Sequence, residues 1–318
     1  METVRLGMSS LRVSRVAFGG CPMGGHAWGP VSDVALKRAV GEALDAGINF
    51  FDTADTYGLG QAERTLGTAL GARRDRAIIA SKFGVRVENG RTHYDNSPHW
   101  IRRSLESSLR RLGTDYVDVY QIHYRDGVTP LADVVGTLKE LKDQGKIRYF
   151  GHSNIGAENA SELRVGASEF VGFQNEFSLA SRDHEGSIRE LSAQFGWTPL
   201  TWGSLGQGVL SGKYDATTSF DSSDRRSRAT YRNFHGRRFE RNLRIVDVLR
   251  EVSASLGKSM SAVAIRWILD HMEDSVAVVG IKNTDQLISN VGALGWRLPT
   301  EALLALNAVS TQMEDAHA

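Results

Sequence analysis

The sequence has little of what marks a secreted or membrane protein. Cys21 is the only cysteine among 318 residues, so no disulfide can form within the chain, and a reducing compartment is the natural expectation. No uninterrupted apolar stretch approaches the roughly 20 residues that a membrane helix needs, and the first residues lack the basic-then-apolar order of a signal peptide. We therefore expect a cytoplasmic protein that does not contact a membrane.

An excess of charge of one sign is also missing. Lys and Arg total 38 against 37 Asp and Glu, which gives a formal net charge of +1 at pH 7. This balance provides no general attraction to nucleic acid or to an anionic membrane, and it favours a small-molecule partner. Length alone suggests about two domains, but single α/β barrels of about 250 residues or more are common. The domain count must therefore come from the pattern of elements.

Short apolar runs rich in Val, Ile and Phe alternate with amphipathic stretches, which is typical of an α/β fold. Regular alternation with short connections implies parallel strands, and eight such units close into a (β/α)8 TIM barrel. An open doubly wound sheet is the rival, but no helix follows the glycine-rich segment after the first strand. We predict one barrel domain over residues 1–318. Its strands are predicted at 14–20, 48–54, 77–83, 117–123, 147–153, 172–177, 198–204 and 276–281.

Polar residues and prolines mark the expected helix starts. Ser32 precedes a helix that ends near Gly47, and Ser97-Pro98 precedes a helix that ends at Gly113. Thr129-Pro130 repeats the second arrangement before another helix.

Three segments do not fit the bare repeat of strand and helix. Residues 4–14 are predicted to form an N-terminal β-hairpin that closes the barrel, and residues 298–310 a C-terminal helix. A long segment after the seventh strand, residues 212–238, has no apolar period, which is typical of a functional lid or of a disordered loop.

Four polar residues stand at the ends of three successive predicted strands. Asp52 and Tyr57 end or follow the second strand, Lys82 closes the third, and His123 closes the fourth. Each residue alone could serve a structural purpose. In a barrel, however, these strand ends converge on the face that carries active sites, so we expect the four side chains to share one pocket.

This set of side chains suits the protonation of a carbonyl oxygen. A tyrosine has a pKa of about 10, too high for efficient proton donation near neutrality unless its anion is stabilised. The Lys82 ammonium would stabilise the anion, Asp52 would hold that ammonium, and the His123 imidazole would orient the substrate or relay its proton. The sequence offers no serine elbow, no zinc-spaced ligand cluster and no activated cysteine. We therefore expect hydride from a cofactor as the attacking group, and no metal.

With these residues in view, the sequence resembles the aldo-keto reductases over nearly its whole length. The matching motifs are INFFDTADTYGLGQAE, ASKFG, DYVDVYQIHYRD, GKIRYFGHSN, FQNEFS, WGSLGQGVLSGKY and VVGIKNTDQLISN. The motifs YDNSP and RNFHGRRFERN look most like the bacterial branch that includes inositol-cluster and general-stress oxidoreductases. The resemblance implies that Asp52, Tyr57, Lys82 and His123 form a catalytic tetrad, with Tyr57 as general acid and Lys82 lowering its pKa.

The resemblance also implies a nicotinamide cofactor that lies extended across the barrel mouth. The nicotinamide ring would stack on Trp202, where family members often carry Tyr. Lys282 would contact the adenosine 2′-phosphate at a position where many relatives of this branch carry Arg, so NADPH is expected, with NADH use left open. The carboxamide would be held by Ser153, Asn154 and Gln174, the pyrophosphate by Ser204, Leu205, Gly206, Gly208 and Lys213, and the adenosine end by Gly280, Gln286 and Asn290.

Other interpretations stay open for single features. The glycine-rich loop at 203–213 is a weak dinucleotide fingerprint by spacing and could be a plain flexible loop. Arginines mixed with aromatics over 225–241 are compatible with nucleic-acid binding, but the near-neutral charge argues against it. A lid over the cofactor phosphates is preferred there, and a solvated loop is an equal alternative for most of these residues.

The leading hypothesis is an NADPH-dependent reductase of an aldehyde or ketone, with a sugar-like substrate as one option. A cofactor-sensing subunit similar to the potassium-channel β subunits is the alternative. A glycosidase-type barrel that uses Asp52 with Asp55 or Glu63 is disfavoured, because it leaves Lys82 and His123 without a role. Substrate identity, reaction direction and homo-oligomer formation stay open. The predicted pocket residues are Trp28, Phe83 and Tyr124, with His26, Tyr94 and Arg125 as further polar candidates.

Overall fold

The computed structural model of the protein describes residues 1–25, 28 and 31–311. An antiparallel hairpin of β1 (Thr3–Arg5) and β2 (Arg12–Ser14) precedes a closed barrel of eight parallel strands. Each barrel strand overlaps the run predicted for it, so the (β/α)8 TIM-barrel prediction is confirmed. In spatial order the strands are β3 (Val16–Gly19), β4 (Phe50–Asp52), β5 (Ile78–Phe83), β8 (Val117–Ile122), β9 (Ile147–Ser153), β10 (Phe170–Glu176), β11 (Thr198–Trp202) and β12 (Val276–Gly280).

The N-terminal hairpin closes the end of the barrel at which the strands begin, as predicted. Leu6 and Val13 are fully buried and pack in one cluster with inward side chains of the barrel, among them Phe50. The N–H of Gly7 donates to the hydroxyl of Thr198, the first residue of β11, at 2.7 Å. Because this end is plugged, the loops at the opposite end are the ones that form an accessible site.

Helices follow the barrel strands and cover them from outside. The larger core cluster fills the layer between strands and helices, and the predicted C-terminal helix packs there through a 2.6 Å bond from Arg241 to the carbonyl of Ser310. Within the described residues, no helix is long and apolar enough to cross a membrane. The helices are α1 (Asp33–Asp45), α2 (Gln61–Leu70), α3 (Pro98–Leu112), α4 (Leu131–Asp143), α5 (Ala160–Leu163), α6 (Glu185–Phe195), α7 (Gly236–Leu256), α8 (Met260–His271), α9 (Thr284–Val291) and α10 (Thr300–Thr311).

Two of the three predicted helix starts are confirmed in detail. The side chains of Ser32 and Ser97 each accept a bond from a first-turn N–H of α1 and α3, at 3.3 Å. The third prediction is wrong in detail, because Pro130 is itself the N-cap of α4 and offers no side-chain bond. The hydroxyl of Thr129 donates instead to Asp126 at 2.6 Å. The same carboxylate accepts from the backbone N–H groups of Val128 and Thr129, so it binds the donors of the turn before the helix.

A second hairpin, which the sequence analysis missed, extends from the end of β5. Its strands are β6 (Val85–Glu88) and β7 (Arg91–Tyr94), joined by a turn in which Asn89 and Gly90 have φ of +50° and +74°. Asn-Gly between two short strands is the usual signature of such a turn, so the signal was present in the sequence. The hairpin brings Tyr94 to the barrel mouth.

The long segment 212–238 is ordered by a small apolar core of its own. It contains two 3₁₀ turns, Arg225–Ser227 and Arg232–Phe234, and α7 begins at Gly236. The guanidinium of Arg226 is bonded to Asp224 and lies 4.6 Å from the ring centre of Phe220. The rings of Tyr214, Phe220 and Phe234 surround it. The missing apolar period therefore reflects an irregular backbone with a packed interior.

His152, in β9, is buried without a polar partner. Its ring is enclosed by Phe170, Phe173 and Trp197, and neither ring nitrogen has a hydrogen-bond partner in the part of the chain that the structure describes. Burial lowers the pKa of His152 to about 3. An unfolded histidine takes up a proton near pH 6.5, so stability falls as the pH drops below that value, until the folded pKa is reached.

We expect His152→Leu to remove this acid sensitivity. Between pH 7 and pH 5 the free energy of unfolding of the native chain should fall by about 2 kcal/mol more than that of the variant, measured by urea denaturation. His99→Leu, on the exposed face of α3, is the matched control and should keep the native pH dependence. An unchanged pH dependence in His152→Leu would contradict the argument.

Candidate active site

The four residues of the predicted tetrad meet at the C-terminal end of the barrel. Asp52 is the last residue of β4, Lys82 the penultimate residue of β5, and His123 immediately follows β8. Tyr57 lies in the loop between β4 and α2. Because β4, β5 and β8 are parallel neighbours, these ends lie side by side, as the sequence predicts.

The centre of the site is a buried ion pair in contact with a phenol. The Lys82 ammonium is 2.7 Å from both carboxylate oxygens of Asp52 and is completely buried. It also donates to the carbonyl of Thr53 at 3.0 Å and to the hydroxyl oxygen of Tyr57 at 3.3 Å. Since Tyr57 accepts from Lys82, its own O–H proton points elsewhere and is available to another acceptor.

A close approach of two glycines fixes the Tyr57 loop. Gly58 has φ of +59°, and a Cβ there would lie 2.1 Å from the carbonyl oxygen of Gly24. Only glycine tolerates both this conformation and this contact. The loop that carries Tyr57 is therefore held against the segment that follows β3, which contains Cys21.

Burial controls the protonation of the two rings. It raises the pKa of Tyr57 well above 10, with a further rise from the Asp52 charge. It lowers the pKa of His123 well below 6.5, and the Lys82 charge adds to this effect. The phenol is therefore protonated and the imidazole neutral near pH 7. Burial and the Asp52 charge outweigh any lowering of the Tyr57 pKa by the Lys82 ammonium, and the expectation that Lys82 lowers this pKa stays a prediction.

The residues expected at the nicotinamide carboxamide are linked to each other. The amide nitrogen of Gln174 donates to Asp52 at 2.7 Å, which leaves the amide oxygen for a ligand. Asn154 donates to the Ser153 hydroxyl at 3.0 Å and accepts from the Trp202 indole at 3.1 Å. The Ser153 hydroxyl donates to the backbone carbonyl of Gln174 at 2.8 Å, which joins these two groups of bonds next to the Lys82 ion pair.

The glycine-rich loop provides fewer N–H groups than expected for a phosphate cradle. The N–H of Gly206 donates to the carbonyl of Gly203 at 2.7 Å, and that of Gly208 donates to the carbonyl of Leu205 at 2.9 Å. The hydroxyl of Ser204 donates to Thr201 in the strand behind. The two glycine N–H groups are therefore used inside the turn, and the predicted cradle does not include them.

Two lysines near this loop fit a polyanionic ligand. Desolvation lowers the pKa values of Lys213 and Lys282, and both are lowered further by the charge of Arg226. Arg226 itself is buried and bonded to Asp224, and the Lys282 ammonium donates to the carbonyl of Trp28. Lys213 is exposed and Lys282 is half-buried, and a bound phosphate stabilises such cations.

A cavity of about 400 Å³ adjoins Lys282 at the starts of α1 and α9. It is lined by Val31, Ser32, Ala35, Lys282, Asn283 and Gln286. Gln286 accepts a bond from the backbone of Lys282 at 2.9 Å, and Gly280 ends β12 just before it. Nearby, the buried amide nitrogen of Asn290 finds no acceptor among the described residues. These groups fit the adenosine end of a dinucleotide.

One predicted pocket residue belongs to the core instead. Phe83 is completely buried and packs against the tilted ring of Tyr120 in the layer between barrel and helices, with ring centres 4.8 Å apart. Successive strand residues face opposite sides, so the inward direction of Lys82 forces Phe83 outward. Arg125 is also removed from the pocket, because it bonds to Asn96, Glu162 and the carbonyl of Thr129. His26 lies outside the described residues.

Aromatic rings form the wall of the mouth. Tyr124 stacks on His123 with ring centres 5.0 Å apart, and Tyr94 lies 5.4 Å from Tyr124. Trp28 meets Tyr231 edge to face at 5.5 Å. Tyr231 was not predicted, because its contact depends on how the segment 212–238 folds back over the barrel.

Most of the arginines of the segment 225–241 bind other parts of this chain. Among the described residues, four of the seven have a partner: Arg226 with Asp224, Arg232 and Arg238 with Asp183, and Arg241 with the carbonyl of Ser310. Nothing in this arrangement supports the nucleic-acid interpretation.

A parallel barrel with a buried lysine–aspartate pair on a phenol at its mouth defines a class of oxidoreductase. The chain belongs to the Aldo/keto reductase family, whose family model matches residues 15–311. Members of this family are oxidoreductases that act on small carbonyl compounds. The resemblance seen in the sequence is thereby confirmed.

Relatives of known identity cover almost the whole chain. The chain is 32% identical over 312 residues to the aldo-keto reductase YhdN of Bacillus subtilis, which spans 97% of this chain and 93% of that protein. It is 31% identical to the aldo-keto reductase yakc [NADP(+)] of Schizosaccharomyces pombe, over 90% and 85% of the two chains. The solved structure of the glycerol dehydrogenase AKR11B4 from Gluconobacter oxydans matches with a TM-score of 0.87 and 32% sequence identity. The match covers 98% of this chain and 95% of that one.

Proposed function

We propose that the protein, acting as one barrel domain over residues 1–318, reduces an aldehyde or ketone to an alcohol with NADPH. Tyr57 is the general acid, Lys82 stabilises the phenolate that forms, and Asp52 holds Lys82. Neutral His123 orients the carbonyl oxygen. The observation that carries this proposal is the contact of the Tyr57 hydroxyl with the buried Lys82–Asp52 pair.

The proposed proton transfer follows from the protonation state and orientation of the Tyr57 hydroxyl. The phenol is protonated over the physiological range, and its O–H points away from Lys82. When that proton leaves, the bond from Lys82 becomes charge-assisted, which favours the transition state over the ground state. The buried surroundings strengthen this interaction relative to water. A nicotinamide cofactor bound at the mouth would supply the hydride.

NADPH is proposed as the cofactor because a lysine lines the cavity at the starts of α1 and α9. That lysine is Lys282, and the name of the Schizosaccharomyces pombe relative includes NADP(+). The name of the Gluconobacter structure, a glycerol dehydrogenase, supports a small hydroxylated substrate for this chain.

The test is the loss of the near-ultraviolet absorbance of NADPH, and separately of NADH, with a panel of aldehydes and ketones. Turnover with NADPH supports the proposal. Tight NADPH binding without turnover of any carbonyl would favour the cofactor-sensing alternative, and failure to bind either cofactor would refute both.

Lys282→Gln is expected to weaken NADPH binding by roughly 10- to 100-fold, the range for a charge-assisted bond to phosphate, and to leave NADH binding unchanged. Dissociation constants can be measured by quenching of cofactor fluorescence. Lys139→Gln, on the exposed face of α4, is the matched control. An equal loss for both cofactors would show that Lys282 does not discriminate at the 2′-phosphate.

A further inference from the structure

One guanidinium at the barrel mouth, that of Arg225, has no partner within the part of the chain that the structure describes. Arg225 is half-buried, and its Nε atom is fully enclosed without a hydrogen-bond acceptor among the residues that the structure describes. Its neighbour Arg226, by contrast, is bonded to Asp224 and to the hydroxyl of Tyr214. A guanidinium whose Nε is enclosed without an acceptor is unfavourable, so such a position suits an anion that would complete it.

The surrounding turn directs Arg225 toward the reacting end of the site. In a 3₁₀ turn, consecutive side chains point about 120° apart. Because Arg226 points into the aromatic core of its own segment, Arg225 must point away from that core. The contact of Tyr231 with Trp28 holds the same segment over the loop that follows β3.

The charge of Arg225 reaches Tyr57 and Cys21. Burial raises the pKa values of both groups, and the positive charge of Arg225 opposes that rise in each case. The guanidinium therefore lies near the phenol that we propose as the general acid, on the side of the mouth where the loop after β3 runs.

We propose that Arg225 binds an anionic group, a carboxylate or a phosphate, carried by the carbonyl substrate. This inference rests on the proposed reductase function and adds the substrate class to it. A guanidinium presents paired N–H donors that match two oxygens of either anion, and a partly desolvated site strengthens the bond. The substrate class is thus a short carbonyl compound with a negative charge a few atoms from the carbonyl carbon.

A carboxylate lies near the same mouth. Burial and the charges of Tyr94 and Glu176 raise the pKa of Tyr124 to about 12, with smaller contributions from Tyr231 and Cys21. Glu176 accepts a bond from Gln207 at 2.9 Å. An anionic substrate group is repelled by Glu176 and attracted to Arg225.

The test compares charged and neutral carbonyl compounds of matched shape. The pairs are glyceraldehyde 3-phosphate against glyceraldehyde, and 4-carboxybenzaldehyde against its methyl ester. In the native protein, kcat/KM should favour the charged member of at least one pair. Arg225→Gln should lower the ratio of charged to neutral kcat/KM by roughly 10- to 100-fold, and Arg225→Lys should restore part of it. Arg228→Gln, an exposed arginine next to the same turn, should leave the ratio unchanged.

A binding measurement separates this inference from the proposed function. Calorimetry of 4-carboxybenzyl alcohol with the NADP⁺-loaded protein should give an affinity that Arg225→Gln weakens, while the affinity for NADPH itself is unchanged. An unchanged charged-to-neutral ratio in Arg225→Gln would overturn the inference alone. A parallel loss for both members of each pair, with weaker NADPH binding, would overturn it by assigning Arg225 to the cofactor phosphates. Failure of every carbonyl to turn over would instead refute the reductase proposal.

Discussion

Tyr57→Phe is expected to lower kcat for carbonyl reduction by about 10²- to 10⁴-fold, the usual contribution of a positioned general acid, with NADPH affinity unchanged. The phenol is protonated and aims its O–H away from Lys82, whereas neutral His123 has no charge to stabilise a developing alkoxide. Phenylalanine keeps the ring that meets His123 edge to face, so packing is preserved. The Lys82 ammonium loses one acceptor, at a cost of about 1 kcal/mol.

The measurement is single-turnover NADPH oxidation, with cofactor binding followed by fluorescence. Tyr116→Phe removes a hydroxyl from a tyrosine just before β8, at the opposite end of the barrel from the site, and serves as the control. A rate within tenfold of the native rate in Tyr57→Phe would mean that another group donates the proton.

The strands and the tetrad could be predicted because both depend on local sequence patterns. Alternating apolar runs locate β4, β5 and β8, and the polar residues that end them must then meet at one face. The misassigned Phe83 shows that this reasoning was incomplete. Strand alternation places Lys82 and Phe83 on opposite faces, and applying it would have assigned Phe83 to the core.

The remaining features depend on contacts between distant parts of the chain. Gln174 bonds to Asp52 across 122 positions of sequence, and no local pattern reports that contact. The lack of a partner for Arg225 among the described residues is likewise not predictable from local sequence. It depends on which other arginines of the segment bond to carboxylates in distant parts of the chain.

Contacts with distant parts of the chain also show whether Asp55 and Glu63 could serve in the glycosidase alternative. Glu63 is fully buried and accepts bonds from Ser81 and Arg111, each at 2.6 Å. Asp55 accepts from Ser104, also at 2.6 Å, and burial raises its pKa to about 7. Both carboxylates are engaged in the layer between strands and helices, so neither Asp55 nor Glu63 can act as the second carboxylate beside Asp52. That alternative is therefore abandoned.

Lys82→Met is expected to destabilise the protein by about 3–5 kcal/mol and also to abolish reduction. The change leaves the Asp52 carboxylate buried with Gln174 as a neutral donor, and an uncompensated buried charge is costly. Methionine fills nearly the same volume, so the cost comes from charge and not from a cavity. Guanidinium denaturation measures the free energy of unfolding.

The double variant Lys82→Met with Asp52→Asn separates the two roles of the pair. Removing both charges should restore most of the lost stability, because a neutral amide needs no ammonium, while reduction stays as slow as in Lys82→Met. Arg38→Met breaks an exposed pair with Glu42 on α1 and should leave the denaturation midpoint unchanged.

If the double variant regained reductase activity along with stability, the ion pair would serve folding alone. If it stayed as unstable as Lys82→Met, the lost stability would come from packing around the lysine stem and not from the orphaned carboxylate. Recovery of stability without recovery of rate is the outcome that assigns the Lys82 charge to the phenolate of Tyr57.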